Sequence, residues 1–254
     1  MTVIYNPYLV IVSAFIAVLA SYTALDLAGR VATSQGADRK VWLVGGAISM
    51  GTGIWSMHFI GMLAFSLHSS AQQIPVGYNL LITIISLLAA VFASGLSLSL
   101  VSRPRVSLPT LLTSAVFMGV GIGVMHYLGM AAMQMTATIR YDPVLFLLSV
   151  ALAVVVSLVA LKLSIKFRRQ TQNVNKKPQL IISALIMGAG ILSLHYTGMA
   201  AARFVEDYER YVASVGINNT SLAFYVACFT FLILGTTLVI TSDKADKDYR
   251  MRDY

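Results

Sequence analysis

Met118-Gly119-Val120-Gly121-Ile122-Gly123-Val124-Met125-His126-Tyr127-Leu128-Gly129-Met130 occurs, in close variants, two more times in this chain. The earlier copy is Met50-Gly51-Thr52-Gly53-Ile54-Trp55-Ser56-Met57-His58-Phe59-Ile60-Gly61-Met62. The later one is Met187-Gly188-Ala189-Gly190-Ile191-Leu192-Ser193-Leu194-His195-Tyr196-Thr197-Gly198-Met199. All three follow M-G-x-G-x-x-x-[ML]-H-[FY]-x-G-M, with the histidines 68 and 69 residues apart, about one helical hairpin each. Each copy sits in an apolar stretch long enough to cross a bilayer.

Working outward, seven such stretches emerge, at about 8–29, 41–67, 78–101, 110–135, 143–167, 179–203 and 221–241. Pro, Gly or charge marks most of the breaks, as at Arg39-Lys40, Pro75-Val76-Gly77, Arg103-Pro104-Arg105, Asp142-Pro143 and Lys176-Lys177-Pro178. The fold expected is an all-α membrane protein: three helical-hairpin repeats plus a seventh helix over residues 1–242, then a short charged tail over 243–254. The composition agrees, with 57% hydrophobic and 11% charged residues and a mean hydropathy of +0.78. A soluble domain carries about 25% charge. The first stretch is read as a spanning helix rather than a cleaved leader, since no basic residue precedes Arg30.

The net charge of +8 does not point to nucleic acid, because the basic residues lie in short loops without interleaved aromatics. They set topology instead. Arg30, Arg39, Lys40, Arg103, Arg105, Lys162, Lys166, Arg168, Arg169, Lys176, Lys177, Lys244, Lys247, Arg250 and Arg252 fall on one side; only Arg140, Arg203 and Arg210 fall on the other. The positive-inside rule then puts the N-terminus outside and the C-terminus in the cytoplasm. The second, fourth and sixth spans run outward together, so their histidines share one depth, about 13–17 Å below the outer helix ends.

Within each copy, His and the Met four residues on lie on one helical stripe, as does the Gly seven before. His58/Met62, His126/Met130 and His195/Met199 are therefore the candidate ligands, whereas Met57 and Met125 lie on an adjacent flank and pack. The glycines flatten each helix for close approach in lipid, and Gly119–Gly123 is a G-x-x-x-G pair. One intramembrane His can be structural, bonding a backbone carbonyl; three at one depth point to a shared site. Imidazole with thioether suits copper, and haem iron also takes His or His/Met ligation. Magnesium and calcium need oxygen ligands that do not converge here. No acid/base carboxylate pair and no nucleophile–His arrangement supports catalysis, and the single Cys228 allows no intramolecular disulfide.

Asp26 and Arg30 form an i,i+4 pair expected to fix the cytoplasmic end of the first helix. His68 is expected at the outer end of the second helix, with at most a minor part in the site. Tyr5, Tyr8, Trp42 and Tyr78 are expected as interfacial anchors.

With Met57-His58-Phe59, Met125-His126-Tyr127, Leu194-His195-Tyr196-Thr197 and the Ser21–Ala28 stretch of the first helix in view, the chain resembles the MHYT family of bacterial membrane sensor domains. No copy spells M-H-Y-T in full. The resemblance implies a multi-pass protein of the bacterial cytoplasmic membrane. It implies copper held by His58, Met62, His126, Met130, His195 and Met199, and sensing of oxygen, carbon monoxide or nitric oxide. Many members carry a cytoplasmic cyclase, phosphodiesterase or kinase, so this chain, which ends at Tyr254, is expected to signal through a partner in trans, to be a piece of a longer regulator, or not to be a transducer. A haem-binding electron carrier, a metal transporter and a purely structural subunit are the alternatives.

Overall fold

The computed structural model describes residues 1–69, 72–103, 105–167, 177–207 and 217–250, the last nine of them as backbone only. Pro104 and the basic residues Arg168, Arg169, Lys176, Arg210 and Arg252 lie outside the described residues. Among the described residues, seven helices are long and apolar enough to cross a membrane: α1 (Pro7–Thr33), α2 (Gly36–Ala64), α3 (Leu80–Val101), α4 (Leu108–Ala131), α5 (Pro143–Phe167), α6 (Lys177–Ala201) and α7 (Asn219–Arg250). The apolar part of α7 ends at Thr241 but the helix continues to Arg250, so the expected boundary between membrane unit and tail falls inside one helix.

The even helices stop two to four residues sooner than their hydropathy suggests. Beyond Ala64, Ala131 and Ala201 the chain turns into extended segments that pair with the segments leading into α1, α3 and α5. These strands are β1 (Thr2–Tyr5), β2 (Phe65–Ser69), β3 (Gln72–Gln73), β4 (Gly77–Tyr78), β5 (Met133–Gln134), β6 (Ala137–Tyr141), β7 (Ala202–Glu206) and β8 (Ile217–Asn218). They form three small antiparallel sheets, ordered β1-β2-β3, β5-β4-β8 and β6-β7. Hydropathy cannot see this ending, because an apolar residue serves a helix or a half-buried strand equally. The histidines consequently lie only about 7.5–9 Å from the helix ends, not the expected 13–17 Å.

The strand end also shows why each odd helix starts where it does. Asn6, Asn79 and Asp142 are N-cap residues; their side-chain oxygens accept from Tyr8 and Leu9, from Ile82, and from Val144 and Leu145, respectively. Their own backbone N–H groups donate to the carbonyls of Ala64, Ala132 and Ala201, each at 2.8 Å. One hydrogen bond thus ties the start of each of α1, α3 and α5 to the end of the even helix that follows it.

Helices α1 to α6 form a closed ring in chain order, because α6 packs back against α1. The motif glycines set the spacing. A Cβ on Gly51, Gly119 or Gly188 would meet Val91, Val154 or Val18 backbone on α3, α5 and α1 in turn. The glycines two residues later meet Ala20, Ala93 and Val156 on the opposite neighbours. The ring therefore has approximate threefold symmetry, with α1, α3 and α5 equivalent. Gly119 and Gly123 do both face α5, against Val154 and Val150. In lipid, where apolar side chains gain nothing by leaving their solvent, this close approach is a main source of helix affinity.

Helix α7 stands outside the ring on α2 and α1. Hydroxyl pairs hold it: Ser56–Thr230 at 2.6 Å and Ser49–Thr237 at 2.7 Å. Arg30 donates to the Thr241 carbonyl at 2.7 Å.

Gly119→Ala should cost about 1–3 kcal/mol of overpacking, because the new methyl meets Val154 backbone at about 2.5 Å. Gly45→Ala, with nothing within 4 Å, should be neutral or slightly stabilising. Thermal unfolding of both variants in detergent reads the difference, and equal midpoints would refute the packing role.

Candidate metal centre

The threefold ring brings the three motif histidines to its axis. Nδ1 of His58 lies 3.1 Å from Nδ1 of His126 and 3.1 Å from Nδ1 of His195. The imidazoles meet edge to face, with centroids 4.8–5.3 Å apart and planes 73–83° apart. All three are buried, at 1%, 2% and 1% exposure. They are the one group of three metal-capable His, Cys or acidic side chains found among the described residues, and their ligand atoms lie within 4.8 Å of one another.

A proton cannot satisfy this arrangement evenly. Each Nδ1–Nδ1 contact needs one donor and one acceptor, so the three rings must adopt unlike tautomers. A cation at the centre would accept all three Nδ1 lone pairs at once and leave every hydrogen on Nε2. Ligand nitrogens about 2.0 Å from an ion sit about 3.3–3.5 Å from one another in tetrahedral or trigonal geometry, close to the 3.1 Å found. The donor set therefore fits a metal. The Nε2 atoms, buried and without a hydrogen-bond partner among the described residues, point away from the axis. Each rests on a glycine of the next even helix: His58 on Gly129, His126 on Gly198, His195 on Gly61.

A second aromatic layer covers the histidines on the strand side. Phe59, Tyr127 and Tyr196, each just after a motif histidine, stack edge-on with Tyr78, Tyr141 and Tyr5 at 5.9, 5.1 and 5.8 Å. Tyr127 shares a hydrogen bond with Ser149 at 2.6 Å and Tyr196 with Ser13 at 3.3 Å. Where Phe59 lacks a hydroxyl, the equivalent Ser86 accepts from Trp55 Nε1 instead.

A family model described as the bacterial signalling protein N-terminal repeat matches residues 51–114, 119–174 and 188–245. The chain belongs to the MHYT family. It is 43% identical over 240 residues to the bifunctional diguanylate cyclase/cyclic di-GMP phosphodiesterase MucR of Pseudomonas aeruginosa, covering 93% of this chain and 34% of MucR. It is 35% identical over 247 residues to the signalling protein YkoW of Bacillus subtilis, covering 97% of this chain and 30% of YkoW. The cyclic di-GMP phosphodiesterase NbdA of P. aeruginosa is 42% identical over 197 residues, covering 78% of this chain and 24% of NbdA. The chain thus spans about a third or less of these relatives. No solved structure matches it.

The MHYT repeats in sequence and the repeats in space are out of phase. The last matched segment couples α6 to α7, yet the helix that packs on Gly188 as α3 packs on Gly51 is α1. In this MHYT unit α1 closes the ring and α7 is additional.

The remaining sequence candidates fall in different places. Met62, Met130 and Met199 are buried in the same core as the histidines, and so are Met57 and Met125. His68 is in β2, paired with Thr2 and Gln73, outside the helix expected to carry it and apart from the cluster. Asp26 accepts from Arg30 at 3.0 Å, and the same guanidinium lies 5.3 Å from the Trp42 ring centroid. Tyr8 is exposed as an anchor should be. Trp42 and Tyr78 are not; both are buried, because Arg30 covers one and the aromatic layer takes the other. The expectation missed the tyrosine layer, although Tyr5-Asn6, Tyr78-Asn79 and Tyr141-Asp142, each followed seven residues after the cap by serine, are present in the chain.

Burial, then the neighbouring Tyr196, pushes the Tyr5 phenol up to about 12; burial, then Tyr127, does the same for Tyr141. Both lie in strands outside the spans. A folded pKa above the unfolded value of about 10 favours the native state below pH 10, and this contribution is lost as pH rises through 12. Absorbance titration near 295 nm of Tyr5→Phe and Tyr141→Phe should remove late-titrating tyrosines, one each. Loss of a tyrosine titrating near 10 would contradict the assignment.

Proposed function

We propose that this MHYT unit is a membrane sensor that holds one metal ion, copper by preference, on His58, His126 and His195. The observation that carries the reading is the convergence of three buried imidazoles, with the Nδ1 of His58 3.1 Å from that of each of the other two. Imidazoles with soft thioethers nearby favour copper over hard cations. Met62, Met130 and Met199 are one turn beyond the histidines, and helical side chains lean back toward the N-terminus, so their sulfurs are the proposed additional ligands. An ion held by the three imidazoles and no more than one of these sulfurs would supply affinity for oxygen, carbon monoxide or nitric oxide.

The chain's own contribution is positioning and readout. The aromatic layer, with Phe59 and Tyr78 buried and the other four rings half-buried, screens the histidines from bulk water, and a change in their mutual distance is relayed to α2, α4 or α6. Helix α2 carries His58 and is bonded to α7 through Ser56 and Ser49, so α7 is the proposed output element. MucR and NbdA are named for cyclic di-GMP turnover; in this reading such catalysis lies beyond the MHYT unit, on a following segment or a partner, and the unit itself is not an enzyme. The excess of basic residues at the end opposite the strands supports a cytoplasmic C-terminus in the bacterial inner membrane.

The geometry disfavours haem. Two axial imidazole nitrogens stand about 4 Å apart across a macrocycle, twice a metal–nitrogen bond, whereas these nitrogens are 3.1 Å apart with a third ring beside them.

Elemental analysis of protein purified after copper-replete expression should give about one copper per chain, and His126→Ala should lose most of it. A metal-free protein with full signalling output would overturn the metal reading. For orientation, an impermeant maleimide should label Gln72→Cys in intact cells in a Cys228→Ser background. Arg105→Cys should react only after permeabilisation; the reverse pattern would invert the topology.

A further inference from the structure

We infer that Gly61, Gly129 and Gly198 are positioning residues for the imidazoles of the neighbouring repeat, so that each coordinating unit is a histidine from one hairpin seated on a glycine from the next. The inference deepens the proposed metal site and rests on it.

Along the sequence, each of these glycines is three residues after its own histidine and reads as part of the same local motif. In space the pairing is crossed. Around Gly129 the three atoms nearest to an added Cβ are Nε2, Cδ2 and Cε1 of His58. Around Gly198 they belong to His126, and around Gly61 to His195. The cycle α2 to α4 to α6 to α2 closes on itself.

These glycines differ from those that space the helices. An added methyl on Gly51 or Gly119 would meet the backbone of an odd helix, which is a packing requirement. At Gly61, Gly129 and Gly198 the nearest atoms are all from one imidazole ring. The space left by the missing Cβ is the seat of that ring. The rings are 98–99% buried, and their Nε2 atoms have no hydrogen-bond partner among the described residues. A ring seated this deep puts Nδ1 at the axis and carries its hydrogen on the outward Nε2, facing a neighbouring main chain. Ligand histidines are commonly oriented through the second ring nitrogen in this way. A methyl group in the seat would push Nδ1 off the axis without removing any ligand.

The test is a rescue experiment on the full chain in detergent, read first without metal. Gly129→Ala should lower the unfolding midpoint, and His58→Ala, by emptying the ring's place, should abolish that loss in the double variant. His126→Ala, the histidine of the same helix, should not. If Gly129→Ala does not accumulate, recovery of folded protein with His58→Ala and not with His126→Ala carries the same information. Rescue by His126→Ala, or by neither, would overturn the crossed pairing. With copper added, Gly129→Ala should weaken binding about tenfold or more while all three histidines remain. If wild-type protein binds no copper but the rescue is specific to His58, the metal reading fails and the seating stands. If copper binds to Gly129→Ala as to wild type, the seating has no positioning role.

Discussion

Three buried imidazoles inside a membrane-spanning bundle, with the Nδ1 of His58 3.1 Å from that of each of the other two, set the terms for everything around them. Buried polar groups in lipid have no water to fall back on, and a half-satisfied cluster there is costly. The rings must be held on the axis from three sides, screened from the strand end, and given room behind. Glycine provides the room, aromatic pairs the screen, and the ring of six helices the three sides. Each is repeated three times because the chain itself is.

Symmetry explains the economy of the fold. One N-cap, one serine, one valine and one glycine pair, each used three times, close a ring whose first helix fills the place that the sequence repeat would assign to the last. That exchange frees α7. It is bonded to the outside of α2 by hydroxyl pairs rather than by interlocking glycines, and it runs unbroken past the apolar span. Apolar packing adds to these bonds, since Leu222, Val226 and Leu234 of α7 are buried and Phe229 meets Trp55 of α2 edge to face.

The symmetry is approximate at the axis, where ring centroids are 4.8, 5.0 and 5.3 Å apart, and the residue types depart from it in the screen. Phe59 replaces a tyrosine and Trp55 takes over its serine. In the next layer Met133 and Met135 are buried where the other copies place Phe65, Leu67, Ala202 and Phe204. The rings and their seats stay constant while the packing around them varies, as expected if the axial geometry is the feature under constraint.

Seven spans, their order and the one depth of His58, His126 and His195 followed from sequence, because hydropathy and helical periodicity are local properties that lipid enforces on every segment. The i,i+4 contact of Asp26 with Arg30 was readable for the same reason. Convergence was not readable, since a helical stripe says which residues face together but not which helix they face. The unequal spacing of the odd-helix repeat, 73 and then 63 residues, hid the tyrosine layer behind the more regular histidine motif. The early ends of the even helices depended on strand pairing between segments as distant as Thr2 and His68. Only the closing of α6 on α1 decided that each histidine rests on another repeat's glycine, because that contact exists only once the ring is complete.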